Sequence, residues 1–156
     1  MKKIILTPQQ QVSDWLGQIG ELIGIKLQLQ DNGHAILQCG NNTAITIEID
    51  SIRHLFYFYS TLCTLPLDPI AREPFYRKAL ELNAFSFSTA GAAISLDPRN
   101  ESIVLTFMEK IDTVNVDSFA NLLESFISLS LEFNQNKAFD FDTTQSNRPT
   151  AMNIIV

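Results

Sequence analysis

The chain has little of what catalysis usually requires. Its two histidines, His34 and His54, stand on separate strand-like stretches, and its two cysteines, Cys39 and Cys63, have neither a C-x-x-C nor a zinc-type spacing. The pattern supports no metal centre or activated nucleophile, and the cysteines are read as small reduced core residues. There is no G-x-x-x-x-G-K-[ST] loop, no G-x-G-x-x-G turn, no G-x-S-x-G elbow and no H-E-x-x-H helix. The carboxylates Glu48, Asp50, Asp68, Asp97, Glu101 and Asp112 fall mostly at strand ends and turns, where such residues are normally solvated. The expectation is a non-enzyme with no catalytic residue, no metal and no cofactor.

Positive charge is scarce too. Eleven Lys and Arg residues are scattered among seventeen Asp and Glu, giving a net charge of -6. No basic stripe exists to neutralise phosphates, so nucleic acid is not an expected partner. No run of about 18 apolar residues occurs. The start MKKIILTPQQ is too short for a signal-peptide core. A cytoplasmic protein without membrane insertion is expected. Only 18% of residues are charged while 46% are hydrophobic, and an average domain carries about a quarter charged. Some apolar surface is therefore left for a dimer interface or a client groove.

A length of 156 residues suits one domain. We place it at 1–136 and read 137–156 as a flexible C-terminal tail, with Asp140 and the run Asp142 to Asn147 polar and aperiodic, ending in Ile154-Ile155-Val156. That apolar end is a candidate to lie against a groove or sheet edge.

Spacings of three and four among Val12, Trp15, Leu16, Ile19, Leu22 and Ile23 predict a helix from about Thr7 to Glu21, with Thr7 as N-cap and Pro8 at the first position. From Ile25 the period becomes two: Ile25, Leu27 and Leu29 alternate with polar residues up to a turn at Asp31-Asn32-Gly33, and Asn-Gly is a strong hairpin signal. Strands follow over His34 to Cys39, around Ile45, Ile47 and Ile49, and over about Arg53 to Cys63. The last carries Phe56 and Phe58 on one face and Leu55, Tyr57 and Tyr59 on the other, so both faces need cover and a partner chain could supply one. After the loop Leu65 to Pro69 a helix from about Glu73 to Asn83 has Phe75, Ala79 and Leu82 on one face and Tyr76 and Leu80 on an adjoining one. Gly91 to Leu96 and Ser102 to Met108 form a hairpin about Asp97-Pro98-Arg99-Asn100, with Ala92, Ile94 and Leu96 sharing a face. A final helix follows, N-capped by Asn115 or Asp117. The result is an α+β fold, a mainly antiparallel five-stranded sheet with three helices in the order α-β-β-β-α-β-β-α.

Leu80 and Asn83, then Gly91-Ala92 leading into Ile94, Leu96 and Asp97, then Val104-Leu105, resemble the corresponding region of the class I type III secretion chaperones, the Tir-chaperone family. The resemblance implies a homodimer that binds the N-terminal segment of one or more secreted effectors and keeps it secretion-competent. Apolar residues of the first helix and first strands, Trp15, Ile19, Ile36, Leu37, Ile45 and Ile47, become candidates for effector contact, any of which could instead face the subunit's own core. Phe75, Tyr76, Ala79 and Leu82 on the second helix become candidates for the dimer interface, with the same alternative. A different class remains open: a small ligand-binding or regulatory domain whose pocket is lined by the aromatic strand Phe56 to Tyr59, against which stands a shortage of polar groups near that strand.

Overall fold

The computed structural model describes residues 4–86 and 89–141. In order these form α1 (Pro8–Ile23), β1 (His34–Cys39), β2 (Thr43–Asp50), β3 (Leu55–Thr64), α2 (Glu73–Asn83), β4 (Ala93–Asp97), β5 (Ser102–Lys110) and α3 (Val116–Gln135). The α+β class and element order are those expected. All strand pairs are antiparallel, in the spatial order β1-β2-β3-β5-β4, so β5 returns between β3 and β4 and leaves β1 and β4 at the edges.

Local chemistry fixes the helix ends. Thr7 and Gln10 form a reciprocal capping box at α1, and Asn115 and Ser118 do the same at α3, which decides the N-cap for Asn115 over Asp117. α1 ends at Gly24 in the left-handed region, φ 75°. Pro74 sits in the first turn of α2, where its missing N–H has no helical acceptor to lose.

Strand alternation then divides the sheet into two unlike faces. Ile45 and Ile47 of β2, Phe56 and Phe58 of β3, and Leu105 of β5 are fully buried beneath α1 and α3. Phe119 of α3 is the hub: its ring lies 5.0 Å from Phe56, 5.4 Å from Phe58 and 5.4 Å from Trp15. Truncating such a residue to alanine typically costs about 3 to 5 kcal/mol. The other face, carrying Glu48, Tyr57, Tyr59, Val104, Thr106 and Met108, has no helix over it among the described residues.

The run 25–30 is not a strand. Ile25 N–H bonds to Gly20 C=O, and a Cβ on Gly20 would come within 2.5 Å of Ile25 C=O and 3.0 Å of Leu27 N. The bare backbone of Gly20 thus admits the returning chain, which buries Leu27 and Leu29 alongside α1 rather than adding to the sheet. The turn before β1 does form: Gly33 has φ 78° and Gln30 N–H bonds to His34 C=O. Leu27 and Leu29 take the core space expected for the end of α1, so Leu22 and Ile23 are exposed. Leu96 is 45% exposed, unlike Ala92 and Ile94, because it lies near the end of an edge strand.

Past Gln135 the chain turns at Lys137, φ 47°, and continues along the body; Phe139 is buried and Phe141 packs on Phe75. Residues 142–156, including Ile154-Ile155-Val156, lie outside the described residues.

Candidate functional site

Three surfaces can serve a partner, and each follows from how an element ends or is left uncovered. The first is the β1 edge. His34 spends its outward N–H on Asn32 Oδ1 (3.1 Å) and its C=O on Gln30 N–H (2.8 Å). By the two-residue alternation, Ile36 and Gln38 then also turn their N–H and C=O away from β2. The chain leading into β1 has left for α1 after that one bond, so these groups remain available. The Ile36 side chain is 63% exposed, in the row Ile36, Thr46, Tyr59, Thr106 on the uncovered face.

The opposite edge is partly closed. Asn83, at the end of α2, accepts the N–H of Ile94 at Oδ1 and donates from Nδ2 to its C=O, both at 2.8 Å, so one side-chain amide does for β4 what a neighbouring strand would do. That occupies Ile94, the second residue of β4, while by the same alternation Leu96 also turns its N–H and C=O outward.

The second surface is the uncovered face itself, a cleft of about 730 Å³ lined by residues including Tyr57, Tyr59, Glu48, Asp50, Asp97 and Arg99. Polar groups therefore do converge beside the aromatic strand, though Phe56 and Phe58 are turned into the core. Asp97 is buried and its carboxyl is held below the ordinary carboxylate range, first by the Arg99 guanidinium and then by the Arg99 N–H and Asn100 amide that it also accepts. The third surface is the outward side of α2, where Tyr76 and Leu80 lie one turn apart, preceded by exposed Leu67 and Ile70.

Of the effector-contact candidates, Ile45 and Ile47 are fully buried and Trp15 nearly so; these three side chains are the subunit's own core, because alternation and helical period aim them between the layers. Ile19 and Leu37 are partly buried against that core, and Ile36 is exposed. Of the dimer candidates, Ala79 is buried, Phe75 and Leu82 pack inward, and Tyr76 faces out with Leu80. Sequence reasoning missed the patch Leu22, Ile23 and Ile25, whose helical and alternating spacing pointed to the core, and the edge-closing role of Asn83, for which no local signal exists.

The chain matches the Tir chaperone protein (CesT) family over residues 15–133, from the middle of α1 to near the end of α3. It belongs to that family. Among curated proteins none matches it. Solved structures repeat the fold at low identity. A chain of the HopA1-SchA chaperone-effector complex is 16% identical with a TM-score of 0.63, covering 86% of this chain and 98% of that one. A chain of the ExsC-ExsE complex is 16% identical with a TM-score of 0.64, covering 85% and 93%. A chain of the heterodimeric ExoU-SpcU complex from the type III secretion system of Pseudomonas aeruginosa is 18% identical with a TM-score of 0.56, covering 81% and 94%.

For this family member no described group of His, Cys, Asp or Glu could hold a metal ion, and no described helix is long and apolar enough to cross a membrane. His34 instead lies 3.6 Å from Glu48 and His54 3.5 Å from Asp112, both near the surface. Burial pushes the Cys63 thiol up to about 11, away from nucleophilic use at neutral pH.

Proposed function

We propose that the protein is a cytoplasmic type III secretion chaperone that holds the N-terminal segment of one or more effectors extended and secretion-competent, without catalysis or cofactor. The observation that carries this reading is the open edge of β1 beside exposed Ile36. An extended client segment adds there as a sixth strand: main-chain bonds to Ile36 and Gln38 accept many sequences, and alternate side chains read the surface around them. The patch Leu22, Ile23 and Ile25 supplies further apolar contact. Two copies associate through the outward side of α2, with Tyr76 and Leu80 at its centre. Phe75, Ala79 and Leu82 support that helix from behind. Family membership and the complexes in which its structural neighbours were solved support the same role.

The test is co-expression with the first hundred or so residues of effectors encoded beside the gene, followed by size-exclusion chromatography. A stable complex with a dimer is expected. Ile36→Pro removes an outward N–H without touching a bond to β2, so it should leave the fold intact and weaken the complex several-fold or more. A chain that stays monomeric and ignores every such segment overturns the proposal. If a small molecule instead raises the melting temperature through the Tyr57 and Tyr59 cleft, a ligand-binding domain is the better reading.

A further inference from the structure

The family match ends at residue 133, yet the chain continues in a defined path through Phe141. Asn136 N–H closes on Glu132 C=O, Lys137 adopts the left-handed region, and Ala138 N–H reaches back toward Phe133 C=O, so the end of α3 reverses direction. Phe139 then sinks beside Leu62, Cys63 and Phe133, and Phe141 meets Phe75 edge to face with centroids 4.7 Å apart. On the other side of that contact is a lightly held helix. Within α2 only Ala79 is buried, the C-terminal end is tied to β4 by Asn83, and the apolar side chain that its first two turns pack against the core is Phe75.

We propose that residues 137–141 are a strap that positions α2, with Phe139 as its anchor and Phe141 as the group that seats the helix. Because the same helix turns Tyr76 and Leu80 outward, the strap sets how firmly that surface is presented, and so how tightly a second copy binds. This last step rests on the proposed association through α2; the seating of the helix does not. Phe141 is a positioning residue, acting through Phe75.

Hydrogen exchange on the full chain tests the seating directly. In Phe141→Ala the α2 amides of residues 76–83 are expected to exchange from about twofold to tenfold faster, the range an aromatic pair of this geometry supports, while β2 and β3 amides keep their wild-type protection. Phe75→Ala should reproduce the effect, and the double variant should add little to either single one. In a Cys39→Ser background, Phe139→Ala should also speed thiol labelling of Cys63, which lines the space under the strap. Unchanged α2 exchange in Phe141→Ala overturns the strap, whatever the oligomeric state. Sedimentation then reads the second step: Phe141→Ala should weaken self-association as Leu80→Asp does. Faster exchange with unaltered self-association overturns control of the dimer. Leu80→Asp without effect on association overturns the α2 interface and leaves the strap to stand on exchange. Phe141→Leu, which keeps apolar area but not the ring pair, should fall between wild type and alanine in exchange rate; a value equal to wild type overturns the role of the ring.

Discussion

Replacing Asn83 by alanine is expected to destabilise the protein by about 2 kcal/mol, at about 1 kcal/mol for each of its two hydrogen bonds to Ile94. Both bonds are 2.8 Å long and part-buried, and Ile94 is an edge residue with no strand beyond it to take over its N–H and C=O. Urea unfolding followed by far-ultraviolet circular dichroism, at fixed protomer concentration, is the assay. With a slope of about 2 kcal/mol per molar, the midpoint should fall by about 1 M. Asn83→Asp sharpens the test because it keeps the acceptor for the Ile94 N–H but sets a carboxylate against the Ile94 C=O. The fold then disfavours the charged form and raises that acid's folded pKa above its unfolded value of about 3.9. Its protonated stability is full below the unfolded value and is lost as pH rises through the folded one, so Asn83→Asp should approach wild type only in acid. An exposed β4 edge should also raise light scattering at high concentration. A midpoint shift below about 0.2 M for Asn83→Ala would refute the account of Asn83 as the substitute strand.

Two glycines one turn apart on α1 should respond in opposite directions. Gly17→Ala, with nothing within 4 Å of the added Cβ, should stabilise by about 1 kcal/mol, whereas Gly20→Ala, crowded by Ile25 and Leu27 backbone, should destabilise by about 2 kcal/mol; paired urea titrations check both. Asp97, with its pKa depressed by Arg99, contributes stability that is present above about pH 4 and lost as pH falls through its lower folded value. Asp97→Asn should therefore be less stable than wild type at pH 7, with a gap that closes in acid, read from midpoints between pH 3 and 7. Cys63, with its thiol raised to about 11, should label slowly at pH 8 in the native protein and rapidly in urea.

Much of this arrangement is legible from periodicity because each burial pattern admits one strand or helix orientation. Phe56 and Phe58 alternate with Tyr57 and Tyr59, and the faces separate as that alternation requires. Caps were legible where chemistry is local, as at Thr7 and Asn115. The path of 25–30 is not legible because alternation reports which side chains are buried but not what buries them; the deciding contact is the bare backbone of Gly20, in a preceding element. The path of 137–141 is not legible because its reversal uses Lys137 in a conformation that sequence associates with glycine or asparagine. The likeness to the family points to α2 for association, but which of Phe75, Tyr76, Ala79 and Leu82 face outward is readable only once the rest of the subunit occupies one side of that helix.

The two edges of the sheet are treated unequally, and that inequality is the strongest argument about where a client goes. Proteins that must keep an edge strand unpaired commonly blunt it with proline, inward charge, a bulge or a covering segment. β4 has such a cover over Ile94 in the side-chain amide of Asn83, supplied by the end of α2. β1, HAILQC, has no proline or lysine and pairs in unbroken register with β2. The segment with the right alternation to cover it, 25–30, is drawn off to α1 by Gly20 and makes one bond at the start of the strand. An open, regular edge of this kind is an association hazard unless an extended chain is meant to occupy it. Gly20→Ala, by pushing that segment off α1, should therefore cost client affinity beyond its cost in stability if the freed segment pairs with β1. Equal client affinity in folded Gly20→Ala and wild-type protein would show that residues 25–30 do not compete for the edge.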